Sequence, residues 1–138
     1  MKEVRVPEDR VGVLIGKDGE SKQKFQELTD CSMTIDDNLV KVEGDIMDEL
    51  KAQEIVKAIG RGFSSKRAFR LLEEGKMLHI MDIDRYADTS NDRERLKGRV
   101  IGRDGEARKH IEKETETDIG VYGGTIGING KGSNIEVA

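Results

Sequence analysis

The chain lacks tryptophan altogether and has one cysteine, two histidines, three phenylalanines and two tyrosines in 138 residues. A single thiol, Cys31, cannot form an internal disulfide, and two histidines without a second thiol make no structural zinc site. Cys31 therefore reads as a small buried residue. With so few aromatic rings, the chain offers few platforms on which bases could stack. No apolar run approaches the ~20 residues of a membrane span, and Met1-Lys2-Glu3-Val4 has no signal-peptide core, so a cytoplasmic protein is expected. Positive charge is also in deficit. Lysine and arginine number 24 against 28 acidic residues, a net charge of −4, which argues against non-specific coating of nucleic acid or an anionic membrane. Any nucleic-acid site must be local. The length suits one ordinary domain or two very small ones, and 35% hydrophobic residues can bury a modest aliphatic core. Large cofactor enzymes are excluded, and neither a cofactor nor a metal is expected.

What is present is a repeat. Sliding the sequence against itself at an offset of 86 pairs residues 10–44 with 96–130 without a gap. Gly12, Ile15, Gly16, Asp18, Gly19, Glu20, Thr29 and Gly44 fall on Gly98, Ile101, Gly102, Asp104, Gly105, Glu106, Thr115 and Gly130. Further pairs keep their chemistry, among them Leu14 with Val100, Lys17 with Arg103, Lys22 with Arg108, Met33 with Ile119 and Val42 with Ile128.

Each copy reads alike in secondary structure. Val4 and Val6 alternate in a first strand, and Pro7 stops it or opens a helix over about residues 8–15. That helix ends at Gly16-Lys17-Asp18-Gly19, and residues 20–29 form a second helix with Phe25 and Leu28 on its inner face. Two strands follow, carrying Met33 and Ile35, then Val40 and Val42, around a turn at Asp36-Asp37-Asn38. Asp45 is placed to cap a long helix whose Ile46, Leu50, Ile55, Val56 and Ile59 face the sheet, ending near Gly60. The order is β-α-α-β-β-α. In the second copy the first strand is read at 77–83, a polar insertion at 85–92 as a loop, helices at 93–101 and 106–115, and strands at 119–122 and 125–129 around Gly123-Gly124. Only eight residues follow Gly130, so this copy reads as lacking its last helix beyond a start at residues 133–138, with apolar sheet surface that a second chain could cover.

Two helices joined by Gly-x-x-Gly let an extended backbone approach closely, because neither glycine carries a Cβ. The free N–H groups of the second helix and its dipole favour a phosphate there. Between the glycines, Lys17 or Arg103 can reach the phosphate, and Asp18 or Asp104 is placed to cap the following helix. One such turn would be a plain helical hairpin; two inside the same β-α-α-β-β frame resemble the type I KH domain, matched at Ile15-Gly16-Lys17-Asp18-Gly19 and Ile101-Gly102-Arg103-Asp104-Gly105. The resemblance implies an α+β fold of two KH modules, each an antiparallel three-stranded sheet with helices on one face. It also implies that each loop clamps about four nucleotides of single-stranded RNA or DNA. Val13 and Met33 in the first copy, and Arg99 and Ile119 in the second, are then candidate groove walls, with Ile101 shared between groove and core. Lys22 and Arg108 depart from the aliphatic residue usual in the family and read as phosphate contacts. Asp replacing both Gly102 and Gly105 is expected to abolish RNA binding and leave the fold intact.

Local charge separates the two copies. Residues 93–110 carry seven cationic side chains, Arg103, Arg108 and Lys109 among them, against three acidic ones, whereas residues 7–24 balance at zero. Phosphate attraction scales with such contacts, so the second copy is expected to be the main RNA site. The alternative for Arg93 and Arg95 is a solvated helix face with partners one turn away.

Between the copies, Gly60-Arg61-Gly62-Phe63-Ser64 leads into a helix capped by Ser64 or Ser65, with Ala68, Phe69, Leu71 and Leu72 apolar and Gly75 as its stop. The expected division is 1–62 for the first module, 63–75 for a bridge packing the modules together and 76–138 for the second. The bridge resembles that of the Partner of Nob family, two-KH ribosome assembly factors also described as dimethylase-interacting. That resemblance implies binding to the 3′ region of small-subunit (16S) ribosomal RNA, near the cut made by a PIN-domain endonuclease during pre-rRNA processing. For archaeal members it also implies contact with the alpha subunit of translation initiation factor two. An enzyme is not expected, since no His, Cys and Asp cluster has metal spacing and neither Ser64 nor Ser65 has a base nearby. The rival readings are a protein-binding scaffold, and a transcription- or translation-associated KH factor with little RNA specificity. Elongation factors with paired KH modules, however, use the order α-β-β-α-α-β.

Overall fold

Alternating apolar residues become one buried sheet face in the computed structural model, which describes residues 1–85 and 89–137. The chain divides into two compact units, Met1–Glu73 and Glu74–Ala138. In the first, β1 (Lys2–Arg5), β3 (Leu39–Glu43) and β2 (Ser32–Asp36) form an antiparallel sheet in the order β1-β3-β2. Val4 stands opposite Val40, Met33 opposite Val42 and Ile35 opposite Val40. Val4, Met33, Val40 and Val42 are all buried, while Glu3 and Thr34 of the other face are exposed. The buried face is covered by α1 (Glu8–Ile15), α2 (Glu20–Thr29) and α3 (Ile46–Gly60).

The long helix is rotated relative to the sequence reading. Ala52, Ile55, Val56 and Ile59 are at most 1% exposed, but Ile46 and Leu50 are 75% and 46% exposed. Burial runs through positions 49, 52, 56 and 59, a helical stripe that places 46 and 50 outside it. The residue this stripe puts at 49 is a glutamate, and Glu49 is buried because its carboxylate accepts the Gly44 N–H at 3.1 Å. That bond takes the role expected of Asp45, which occupies the N-cap position without a side-chain hydrogen bond. Leu28, also expected inside, is 46% exposed. Phe25 and Thr29 hold the inner face of α2.

The bridge consists of α4 (Ser65–Ala68) and a 3₁₀ turn, Phe69–Leu72, and it belongs to the first unit's core. Ser64 is the cap and accepts the Arg67 N–H. Phe63, Ala68 and Leu71 are buried. Arg10 Nε and Nη2 donate to the carbonyls of Ile59 and Phe63 at 2.8 and 2.7 Å, closing the C-terminal end of α3, whose last carbonyls have no partner within the helix.

In the second unit β4 (Lys76–Asp82), β6 (Thr125–Lys131) and β5 (Asp118–Tyr122) repeat the same sheet as β4-β6-β5. The helices are α5 (Ser90–Ile101), α6 (Glu106–Thr115) and the short α7 (Gly132–Val137). The stretch read as a loop is in part helix: α5 starts at Ser90 because Thr89 accepts the Asp92 N–H at 3.1 Å. Residues 86–88 of that loop lie outside the described residues. Leu96 occupies the place of Arg10, and with Met81, Ile83, Val100 and Ile126 it lines an apolar cavity of about 250 Å³. The corresponding Val4, Val6, Leu14 and Val40 are buried in the first unit.

Two outcomes are expected here. Arg10→Leu, which loses the two charge-assisted bonds to the Ile59 and Phe63 carbonyls, should lower the stability of the first unit by about 2 kcal/mol in urea unfolding. The Gly44 N–H holds the Glu49 carboxyl below the usual carboxylate range. Its contribution is therefore present above the unfolded value of about 4.3 and lost as pH falls through the folded one. Thermal unfolding of Glu49→Gln should show a lower Tm than the parent at neutral pH, and the gap should close in acid.

Candidate nucleic-acid interface

Each helix pair is joined by a 3₁₀ turn, Lys17–Gly19 in the first unit and Arg103–Gly105 in the second. The two turns have nearly the same backbone. Gly16 and Gly102 have φ/ψ of 76°/175° and 73°/179°, a region reached essentially by glycine alone. A Cβ on Gly16 would lie 2.8 Å from the Ser21 backbone N, and one on Gly102 would lie 2.6 Å from that of Ala107. The first glycine of each loop is thus required twice, by conformation and by contact. Gly19 and Gly105 have φ of 76° and 77°; a Cβ on Gly19 would meet nothing within 4 Å and one on the buried Gly105 would meet only the ends of Arg108 and Lys109 at 3.9 Å, an ordinary contact, so their requirement is conformational only. The expectation that Asp at both Gly102 and Gly105 would spare the fold is corrected accordingly: at Gly102 the side chain would drive into the α6 backbone.

Two further expectations change. Asp18 and Asp104 do not cap the following helices; they adopt left-handed conformations with φ of 55° and 53° and are exposed. The N-cap positions of α2 and α6 are held instead by Gly19 and Gly105, with no side-chain cap bond. The amides of Gly105 and Glu106 donate within the turn to the carbonyls of Gly102 and Arg103, so these two are not free for a ligand.

Side chains distinguish the two loops. In the second unit Arg103 and Asp104 are exposed at the tip, and Arg99 is exposed on the last turn of α5. The position a Cβ would take on Gly105 lies 3.9 Å from both Arg108 Nη2 and Lys109 Cε, so both side chains, one turn on in α6, run alongside Gly105. Glu112 steadies Arg108: its Oε1 is 4.0 Å from Arg108 Nε, and its Oε2 accepts the Ile119 N–H at 2.9 Å. Nothing approaches the equivalent point at Gly19 within 4 Å, although Lys17 is exposed and Lys22 half-buried beside it. Arg95 and Lys97 pair weakly with Asp92 and Glu94 on the solvated face of α5.

The expected groove walls divide. Val13 and Ile101 are half-buried at the ends of α1 and α5 and retain some surface. Met33 and Ile119 do not: each is 3% exposed, because the inner sheet face packs under the helices. Their amides are tied to α2 and α6 through Gln26 and Glu112, a pairing that sequence reading missed although both positions hold a long acceptor. Cys31 is 2% exposed, as its bland reading requires, and burial raises its thiol pKa. Among the described residues no group of His, Cys, Asp and Glu could hold a metal ion, and no helix is long and apolar enough to cross a membrane.

Comparison with known proteins agrees with this geometry. Residues 1–58 match the KH domain family, and residues 77–138 match the eukaryotic type KH domain, KH type I. The crystal structure of Dim2p from Pyrococcus horikoshii superposes with a TM-score of 0.92 at 39% identity, covering 99% of this chain and 84% of that one. The chain belongs to the tandem-KH family of Dim2p, the Partner of Nob family. KH domains are RNA-binding modules and not a known enzyme family. A second structure, of the Pyrococcus horikoshii a/eIF2alpha–aDim2p–rRNA complex, has a TM-score of 0.91 at 39% identity, covering 99% of this chain and 78% of that one. A KH domain-containing protein of Methanocaldococcus jannaschii is 40% identical over 98% of this chain, which spans 62% of that relative's length.

The two glycines of a KH loop should be separable by stability. Gly102→Ala is expected to destabilise the second unit by about 3 kcal/mol, combining strain and a backbone clash. Gly105→Ala, with strain alone, is expected to cost about 1 kcal/mol. Hydrogen exchange of amides in the second unit reads both.

Proposed function

We propose that this KH protein binds single-stranded RNA at the 3′ end of small-subunit ribosomal RNA, chiefly through its 102–105 loop, and acts in pre-rRNA processing and ribosome assembly. The observation that carries this reading is that Arg103 is exposed at the loop tip while the Arg108 and Lys109 side chains lie 3.9 Å from the Cβ position of Gly105, whereas nothing lies within 4 Å of the equivalent point at Gly19. Arg99 extends the same cationic surface along α5. In this reading Gly102 and Gly105 admit the sugar-phosphate backbone, Arg103 reaches a phosphate, and Ile101 borders the bases. Gly16, Lys17, Asp18 and Gly19, with Lys22 and Val13, form a weaker second clamp. The rRNA target is supported by the Pyrococcus relative's complex. A PIN-domain nuclease cutting near that 3′ end is the enzyme whose substrate the bound RNA would be.

A protein contact is assigned to the first unit. Ile46, Met47 and Leu50 are exposed together on the outer face of α3, next to Asp45 and Asp48. Such an apolar patch with an acidic rim repels phosphate and suits a protein surface with basic residues. The alpha subunit of translation initiation factor two, named in the relative's complex, is the proposed partner.

Fluorescence anisotropy with an oligonucleotide from the rRNA 3′ end tests the RNA reading. Arg103→Ala should weaken binding and reduce the salt slope by about one unit, since one phosphate contact is lost. Arg103→Asp, which places two carboxylates side by side in the loop, should weaken it about a hundredfold, and Lys17→Asp by less. Undiminished binding by Arg103→Asp would remove the loop from the interface.

A further inference from the structure

Behind the 16–19 loop, on the side of α2 turned toward α4, lies a cavity of about 290 Å³ lined by Glu20, Ser21, Lys24, Ser65, Lys66 and Phe69. It begins at the loop itself, because Ser21 is the residue on which Gly16 packs. Its base is fixed: Ser65 Oγ lies 3.3 Å from Ser21 Oγ and donates to the Val13 carbonyl at 3.3 Å, joining the bridge to both helices. Lys24 and Lys66 are exposed and have no ion pair or hydrogen bond among the described residues. Phe25 and Phe63 are each 1% exposed, so Phe69, half-buried here, is the phenylalanine with ring surface to offer.

Each lining group has a use toward one kind of ligand. A phenylalanine face stacks on any base, and two unpaired ammonium groups attract phosphate. A carboxylate accepts from an exocyclic base amine, as acidic side chains do from cytosine N4. The cavity is near the lower end of ligand pockets, about 300–1,000 Å³, which suits a single base. The second unit lacks these features at the matching positions, where Ser21 is replaced by Ala107 and Lys24 by His110.

We propose that this pocket holds one nucleotide of the RNA strand next to those clamped at the 16–19 loop. Phe69 stacks on its base, Glu20 accepts from the base amine, and Lys24 and Lys66 hold its flanking phosphates. Adenine, cytosine and guanine then fit, and uracil, which has no exocyclic amine, fits less well. The inference rests on the reading that this chain binds single-stranded RNA, and it adds a site beside the 16–19 loop on the α4 side of α2.

The test uses the isotope-labelled full chain carrying Arg103→Asp, which silences the stronger loop, in amide-shift titrations with adenine-rich RNAs. One RNA has about four nucleotides, enough to fill a KH clamp, and the other about eight. The longer RNA is expected to bind more tightly and to shift amides of α4, and Phe69→Leu should weaken it about tenfold with the shorter one unaffected. Lys24→Ala with Lys66→Ala, both on exposed side chains, should give the same selective loss without touching the core. Glu20→Gln should narrow the preference for adenine-rich over uracil-rich RNA. Equal binding of the two lengths, or variants that leave their ratio unchanged, would overturn the pocket and leave the RNA reading standing. Loss of both RNAs by Arg103→Asp while the parent chain binds them would overturn it too. If the parent chain binds neither RNA, the RNA reading itself fails.

Discussion

The contact on which the rest depends is a glycine lying against the backbone of the helix that follows it. At Gly16 and Gly102 the chain leaves one helix, turns within three residues and starts the next, with no room for a Cβ beside the Ser21 and Ala107 amides. This approach brings α1 against α2 and α5 against α6, and it leaves the residues between the glycines at the tip. Lys17 and Arg103 are exposed for that reason, each held between two helix ends. A second close approach repeats in both units. Gly44 passes the Cys31 thiol and Gly130 passes Thr117, so each hairpin returns under the end of its second helix.

From one backbone the two units derive different surfaces. The difference arises at single positions of the repeat. Arg10 closes the end of α3, whereas Leu96 in its place lines an apolar cavity. Lys22 stays half-buried beside an open Gly19, whereas Arg108 and Lys109 run alongside Gly105. Ser21 tethers the bridge through Ser65, whereas Ala107 has no hydroxyl to do so. A chain with net charge −4 thus carries a local cationic cluster in one unit and, in the other, an acidic and apolar outer helix face.

Much of this was legible in the sequence, and the errors have definite causes. The repeat, the helix and strand order and both Gly-x-x-Gly loops follow from spacing, because a glycine recurring at fixed offsets reports a backbone requirement. Residues near helix ends misled. Ile46 and Leu50 look like core by composition, but the buried stripe of α3 takes in Glu49 and leaves them outside. Ile119 and Met33 look like groove walls by family pattern and are buried under the helices. Asp45, Asp18 and Asp104 look like caps, and none makes a cap bond: Glu49 accepts the Gly44 N–H beside Asp45, and the left-handed turns make Gly19 and Gly105 the N-cap residues.

The sequence by itself determined the α+β class, the duplicated unit, the position of the two loops and the excess of positive charge in the second copy. These properties are local in the chain: each depends on residues within about one supersecondary unit. Tertiary structure alone decided that Met33 and Ile119 lie under the helices, that the bridge belongs to the first unit's core, and that Phe69, Lys24 and Lys66 share one cavity. Lys24 and Lys66 are 42 residues apart in sequence, and only the packing of α4 beside α2 brings them together. Helical periodicity gives the direction of a side chain to within a face; which neighbour that face meets is set by packing.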